Sequence, residues 1–178
     1  MALEEYQRKR RFAETPEPPP KVEKKDRHRF VVQKHRATHL HFDFRLEMEG
    51  VLKSWAVPKG PSYDPSVKRL AMMTEDHPYD YASFEGVIPA GNYGAGNVII
   101  WDEGTALIVR RSPDHLSLDL HGRKLNGRFG LTHTGGRRWL LVKATDAHAR
   151  PGSDIVSESP QSVRSGRTWS ELAEAVSD

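Results

Sequence analysis

The stretch Gln33-Lys34-His35-Arg36-Ala37-Thr38-His39-Leu40-His41-Phe42-Asp43-Phe44-Arg45-Leu46 alternates polar and apolar residues through its second half. Successive side chains on a β-strand point to opposite faces. A strand here puts Leu40, Phe42, Phe44 and Leu46 on one face, which is expected to be the core. His39, His41, Asp43 and Arg45 then share the other face. Four polar or charged groups of this kind make an unusual solvent face, a position usually filled by Lys, Glu and Thr. Beyond the stretch, Glu49-Gly50 reads as a tight turn and Val51–Val57 as the returning strand.

Working outward, the same period of two predicts strands over Arg29–Lys34 and Thr38–Met48. Further short strands are expected at Leu70–Thr74, Val98–Asp102, Thr105–Arg110, Leu116–Leu120, Phe129–Thr132 and Trp139–Ala144. Gly and Pro punctuate them at regular intervals, which favours an all-β sandwich or barrel. Leu3–Ala13 reads as a short charged helix, ended by the stiff linker Thr15-Pro16-Glu17-Pro18-Pro19-Pro20. Lys21–Arg29 is expected to be an exposed loop. Ala147–Arg167 is rich in Ser, Gly and Pro and reads as a connection. Thr168–Val176 reads as a terminal helix, with Thr168 as N-cap and Glu171 three residues later. The 178 residues suit one domain. The expected organisation is an N-terminal segment over 1–28, a mainly β barrel over 29–145, and a loop and helix over 146–178.

The chain has no cysteine, which excludes disulfides and thiolate chemistry. It shows no secretory signal and no apolar run long enough to cross a bilayer, so a cytoplasmic, membrane-free protein is expected. Residues 1–36 carry 11 Lys and Arg against 6 Asp and Glu, although the whole chain has a formal net charge of only +3. Basic charge near one end suits a polyanionic partner, and it also suits a solvated tail.

His41 and Asp43, two apart on one strand face, can converge on one ion. His35 could supply a third ligand across a bend. Two imidazoles and a carboxylate suit Mn²⁺, Zn²⁺ or Fe²⁺ and leave positions open for water or substrate oxygen. Arg45, next on that face, could clamp a phosphate with its planar fork. The alternative is a structural cluster in which the histidines only hydrogen-bond the acid and the backbone. A second segment, Arg69 to Tyr81, sets His77 in an acidic turn, where the neighbouring carboxylates are expected to raise its pKa. The bland reading there is a surface turn. Lys59 sits in the rigid loop Val57-Pro58-Lys59-Gly60-Pro61. The glycine-rich run Glu85 to Gly96 matches neither a P-loop nor a dinucleotide fingerprint, so its glycines are assigned to turns.

Together these segments resemble the 3′-phosphoesterase domain of bacterial DNA ligase D and its free-standing relatives. The matching strings are Gln33-Lys34-His35, His39-Leu40-His41-Phe42-Asp43-Phe44-Arg45-Leu46-Glu47, Leu52-Lys53-Ser54-Trp55-Ala56-Val57-Pro58-Lys59-Gly60-Pro61 and Glu75-Asp76-His77-Pro78. Tyr81, Phe84-Glu85-Gly86, Ile88-Pro89, Gly91-Asn92-Tyr93-Gly94-Ala95-Gly96, Trp101-Asp102 and Trp139-Leu140-Leu141-Val142-Lys143 extend the match. So do Leu3-Glu4-Glu5-Tyr6, Arg8-Lys9-Arg10 and Thr15-Pro16-Glu17-Pro18 at the start. The resemblance implies a small β-barrel with a crescent-shaped groove. It also implies an enzyme that removes a 3′-terminal ribonucleoside to leave a 3′-phosphate and then removes that phosphate to leave a 3′-hydroxyl. Mn²⁺ is the implied cofactor, with Co²⁺ or Zn²⁺ as substitutes, and His35, His41 and Asp43 are the implied ligands. Arg45 and His77 become the phosphate-binding and catalytic pair. Gln33, Lys59, Arg69, Glu75 and Tyr81 are expected to line or support the site, and Arg10 and Glu17 to assist from the N-terminal segment. The family opening commonly has an acidic residue where Arg11 stands. The implied partners are primer–template DNA or RNA-containing 3′ ends, an end-joining polymerase, a ligase and Ku, and the implied state is a monomer.

Two other classes of function remain open at this level. His41 and Asp43 with a distant histidine such as His133 would imitate the facial triad of a non-haem iron oxygenase. A barrel with the same fold and a decayed site would bind nucleic acid without cutting it.

Overall fold

The computed structural model describes residues 2–23, 28–36 and 39–170. Among the described residues nine antiparallel strands form the sheet: β1 Arg29–Arg36, β2 Leu40–Met48, β3 Val51–Val57, β4 Arg69–Met73, β5 Gly86–Ile88, β6 Gly96–Ser112, β7 His115–Gly122, β8 Asn126–Gly135 and β9 Arg138–Lys143. Their order is β1-β2-β3-β4-β9-β8-β7-β6-β5, and β6 also pairs with β1. That last pairing closes eight strands into a barrel and leaves β5 as a flap on β6. The alternating pattern leaves a sandwich or a barrel open and the family resemblance implies a small barrel; the mainly β barrel is the fold. Among the described residues the helices are short: α1 Glu4–Arg8 and α2 Ile155–Glu158, with a 3-10 turn at Tyr79–Ser83.

Local chemistry explains the main turns. The β2–β3 hairpin turns on Glu49 and Gly50, both at positive φ (55° and 86°), as a two-residue hairpin requires. Gly50 also meets the N-terminal segment: a Cβ there would lie 2.5 Å from the Glu23 carbonyl oxygen. The two strands expected at Val98–Asp102 and Thr105–Arg110 are one long strand, β6. The glycine between them, Gly104, is a site of close approach rather than a break. A Cβ on it would come within 2.0 Å of the His121 carbonyl oxygen, so only glycine lets β6 run on from β1 to β7.

The barrel interior is filled by Phe30, Val32, Phe42, Phe44, Trp55, Trp101, Leu118, Phe129 and their neighbours. A second apolar layer lies outside the barrel, over the β1–β2–β3 wall. It consists of Leu3 and Tyr6 from the N-terminal segment, Tyr79 and Tyr81 in the 3-10 turn and Phe84 just after it, and Val31, Leu52 and Ile88 from the strands. The wall is thus covered on both faces. Leu40 departs from the expected core face: as the first residue of β2, opposite Arg36 at the end of β1, it is 43% exposed.

The N-terminal helix stops at Arg8, well short of Ala13. Arg10 turns its guanidinium back and donates from Nη1 to the Tyr6 carbonyl oxygen at 3.2 Å, satisfying one of the helix's free acceptors. The helix expected over Thr168–Val176 lies largely outside the described residues. The segment expected to be plain connection instead carries α2, whose Ile155 and Val156 pack against the barrel core.

Candidate active site

The outer face of the wall carries the ionisable residues. β1 supplies Gln33 and His35, and β2 supplies His41, Asp43 and Arg45. Gln33 pairs with Asp43 and His35 with His41 across the two strands. Past β4 the chain keeps running along β3. The Thr74 amide donates to the Ser54 carbonyl, and His77 and Leu52 exchange two backbone hydrogen bonds. Glu75 and His77, two apart, therefore face the same side. A groove of about 400 Å³ results, lined by these groups with Arg10, Glu17, Tyr81, Tyr93 and Gly94.

His35, His41 and Asp43 each offer a ligand atom, all within 4.8 Å of one another. His35 Nε2 lies 2.6 Å from the Gly94 carbonyl oxygen, an acceptor, so Nε2 carries the proton and Nδ1 presents its lone pair toward Asp43 Oδ2 at 3.7 Å. His41 Nδ1 donates to the His39 carbonyl at 3.1 Å, and its Nε2 faces Asp43 Oδ2 at 3.1 Å. Backbone carbonyls thus set both tautomers, the outer-sphere arrangement that metal-binding histidines require. Two imidazole nitrogens and one carboxylate oxygen fit a divalent transition ion. Burial opposes ionisation of Asp43, but the Arg45 guanidinium and the two imidazoles outweigh it and hold the carboxyl well below its usual range. Burial likewise opposes charge on His41, and Asp43 overcomes it, so that pKa is raised.

Beside this cluster Arg45 is fixed from three sides. Its Nε donates to Gln33 Oε1 at 2.6 Å, its Nη2 pairs with Asp43 at 3.3 Å, and its guanidinium lies 4.9 Å from the Tyr81 ring centroid. Gln33 is held in turn by the Tyr81 and Phe84 carbonyls, to which its Nε2 donates at 2.7 and 3.0 Å. His77 is buried between Arg45 Nη1, 3.1 Å from Nδ1, and Arg10 Nη2, 3.3 Å from Nε2. Its Nδ1 also lies 2.9 Å from the Glu75 carbonyl oxygen. Arg10 can only donate, so Nε2 accepts from it, while Nδ1 lies between an obligate donor, Arg45 Nη1, and an acceptor, the Glu75 carbonyl oxygen. The N-terminal segment closes the far side. Arg10 Nε pairs with Glu17 Oε2 at 2.8 Å, Tyr81 Oη donates to the same oxygen at 2.7 Å, and Thr15 donates to Glu17 Oε1. Glu75 takes Lys9 at 3.2 Å and Arg10 at 3.4 Å.

The chain matches the family model of the DNA Ligase D 3′-phosphoesterase domain over residues 33–133. It belongs to that family. It is 54% identical, over 93% of its length, to the multifunctional non-homologous end joining protein LigD of Pseudomonas aeruginosa. It is 49% identical over 78% of its length to the LigD of Mycobacterium bovis, and 42% identical over 84% to that of Mycolicibacterium smegmatis. The chain spans only about a fifth of each of these relatives, 21%, 19% and 21% in turn.

In this phosphoesterase domain the structure gathers Arg10, Glu17, His35, His41, Asp43, Arg45, Glu75, His77 and Tyr81 around one groove, with Gln33 behind Arg45. Two expected groups are not brought there. Lys59 is exposed, two residues beyond Val57, the partner of Phe42, so it emerges from the end of the wall that carries His41. Arg69 shares its face of β4 with Ala71, which packs into the barrel interior. The raised pKa expected for His77 is reversed. Burial comes first, then the Arg45 and Arg10 guanidiniums, and together they hold the imidazole well below its ordinary value, because both neighbouring carboxylates turn elsewhere. Glu75 meets Lys9 and Arg10, and Asp76 meets Lys53 at 3.1 Å. His133 cannot complete a facial triad with His41 and Asp43. It stands on β8, across the barrel from β2, bonded to Asp114 and the Gly136 carbonyl. The pattern missed Tyr6, Lys9, Tyr93 and the Gly94 carbonyl; the last is a backbone group that leaves no mark in a sequence.

Proposed function

We propose that this domain is a divalent-metal phosphoesterase that heals 3′ ends. It would remove a 3′-terminal ribonucleoside to leave a 3′-phosphate and then the phosphate to leave a 3′-hydroxyl, on primer–template DNA in end joining. The observation that carries this reading is the convergence of one ligand atom each from His35, His41 and Asp43, all within 4.8 Å of one another, directly beside an arginine that Gln33 and Tyr81 hold in place. A bound Mn²⁺, or Co²⁺ or Zn²⁺ in its place, supplies Lewis acidity toward a phosphoryl oxygen and acidifies bound water.

The protein's own groups do the rest. Arg45 is already oriented, so its remaining N–H donors meet non-bridging phosphate oxygens without reorganisation as charge develops. His77 is neutral in the free groove. A bound phosphate offsets the charge of the two guanidiniums and favours proton uptake at Nε2, the proton that a departing oxygen needs. Arg10, held by Glu17, adds a second cation on the far side. A strand leaving past His41 meets Lys59 at the rim. A polymerase, a ligase and Ku are the partners this role implies, and the setting is a cytoplasmic, nucleoid-associated one. Among the described residues no helix is long and apolar enough to cross a membrane.

The test uses a 5′-labelled primer–template ending in one ribonucleotide, incubated with Mn²⁺ with and without EDTA, beside the His41→Ala variant. The expected result is a metal-dependent ladder from ribonucleotide end to 3′-phosphate to 3′-hydroxyl, absent in the variant. Tight duplex binding with no product in any divalent metal would instead make the domain a binding module.

A further inference from the structure

Tyr93 is the one aromatic ring lining the groove, among the described residues, that keeps a large face in solvent: it is 50% exposed, against 2% for Tyr81. It sits on the glycine-rich run between Gly91 and Gly94, both at positive φ (86° and 72°), a conformation that fixes the loop's path. The next residue, Gly94, gives its carbonyl to His35 and lies so close that a Cβ would be 3.3 Å from His35 Cε1. The ring's place relative to the metal-ready triad is therefore set by one peptide unit. On its other side the ring is anchored by cations. Lys9 Nζ donates to Tyr93 Oη at 3.3 Å and lies 4.6 Å from the ring centroid, and the Arg10 guanidinium is 5.5 Å away. Arg11 Nη2 donates to the Gly91 carbonyl at 3.1 Å and ties the same loop to the N-terminal segment.

An exposed aromatic ring, tethered through Lys9 and Arg11 one residue from the carbonyl that orients His35 and backed by positive charge, has the properties of a base-stacking platform. We infer that Tyr93 stacks the nucleobase of the 3′-terminal nucleotide and so places the phosphate attached to it over His41, Asp43 and Arg45. This rests on the phosphoesterase reading and names the part of the substrate that the groove recognises beyond phosphate. Every base offers a π face, so the platform tolerates any base but discriminates against an end that lacks one.

The experiment measures binding first, by fluorescence anisotropy in EDTA, so that turnover plays no part. The probes are two labelled primer–templates, one ending in a normal ribonucleotide and one ending in the same sugar without its base. Wild-type protein is expected to bind the complete end about tenfold tighter. Tyr93→Ala should lose that preference and bind both ends alike, while Tyr93→Phe, which keeps the ring, should retain it. Equal binding of both ends by the wild type, or an undiminished preference in Tyr93→Ala, overturns the inference. So does loss of the preference in Tyr93→Phe, which would assign the effect to the hydroxyl. The same ends are then incubated with Mn²⁺. A base preference in binding without any product would leave the stacking platform standing and sink the phosphoesterase reading instead.

Discussion

The two faces of the β1–β2–β3 wall are built by the same strands and are buried almost equally, yet they do opposite work. Phe42, Phe44 and Trp55 point inward and are at most 2% exposed; Asp43, Arg45 and Ser54 alternate with them, point outward and are at most 5% exposed. On the inner face, burial itself stabilises, at about 1.5–3 kcal/mol for each large apolar side chain. On the outer face, burial is unfavourable for every charge and is tolerated only because each has partners: Asp43 with Arg45, His35 and His41, and Arg45 with Gln33. The outer face gains no comparable stability from this. What it gains is rigidity and a set of unspent donors and lone pairs, the properties a reaction site needs.

The sharpest way to test the contrast is to remove one member from each face. Under the proposed function, Asp43→Ala should lower phosphoesterase turnover by roughly 10³-fold, since it removes the carboxylate proposed to hold the metal and the counter-charge of Arg45 together. Calorimetric titration with Mn²⁺ should show binding lost while the far-UV spectrum keeps its β signature. Phe44→Ala should do the reverse. It should cost about 3–5 kcal/mol in denaturant unfolding, through lost burial and a cavity against Phe30 and Trp55, and retain turnover per folded molecule in the cold. Wild-type metal affinity in Asp43→Ala, or unchanged stability in Phe44→Ala, would break the division of labour between the faces.

The inner face was the more legible of the two. Phe42, Phe44 and Leu46 announce a core by period alone, and the hairpin at Glu49-Gly50 follows from turn chemistry, whereas alternation leaves a sandwich or a barrel open and the family resemblance points to the barrel. Leu40 shows the limit of that rule, because alternation gives the face but not where the barrel's last layer ends. On the outer face the pattern singled out His41, Asp43 and Arg45 as an unusual set for a solvent face but gave no sign of what covers it. Its cover comes from Leu3, Tyr6 and the Tyr79–Phe84 segment, far away in the chain, and contacts of that range have no local signature. The same distance explains His77. Its sequence neighbours are acidic, whereas its spatial neighbours are Arg10 and Arg45, and the spatial ones govern its charge.

The cover offers a smaller effect that separates support from chemistry. Glu17 joins Arg10 and Tyr81 beneath the groove with its side chain 1% exposed. Glu17→Ala should cost about 3 kcal/mol of stability, because it leaves the Arg10 charge buried without its closest partner. Mn²⁺ affinity should stay within about threefold of wild type, since the triad's tautomers are set by Gly94 and His39 rather than by the cover. A large loss of metal affinity would mean that the cover shapes the triad itself.

The smallest expected effect concerns pH and distinguishes the two reasons a histidine can sit on this face. His77 in the folded protein is held well below its ordinary value of 6.5, so below that pH the unfolded chain binds a proton that the folded one refuses. Stability from this residue is therefore present above 6.5 and declines as pH falls through it. His41 has the opposite sign: its raised pKa favours the folded state at low pH and loses that contribution as pH rises through the folded value. Asp43, depressed from 3.8, adds its own loss only in stronger acid. Comparing melting temperatures of metal-free wild type and His77→Gln between pH 7.5 and 5 cancels the His41 and Asp43 contributions, which both proteins share. The wild type should lose more stability on acidification than the variant. Identical slopes would mean that His77 accepts its proton in the folded groove, sharing its charge with Arg45 and Arg10 nearby, and that the imidazole is a resident acid rather than one armed by the arriving phosphate.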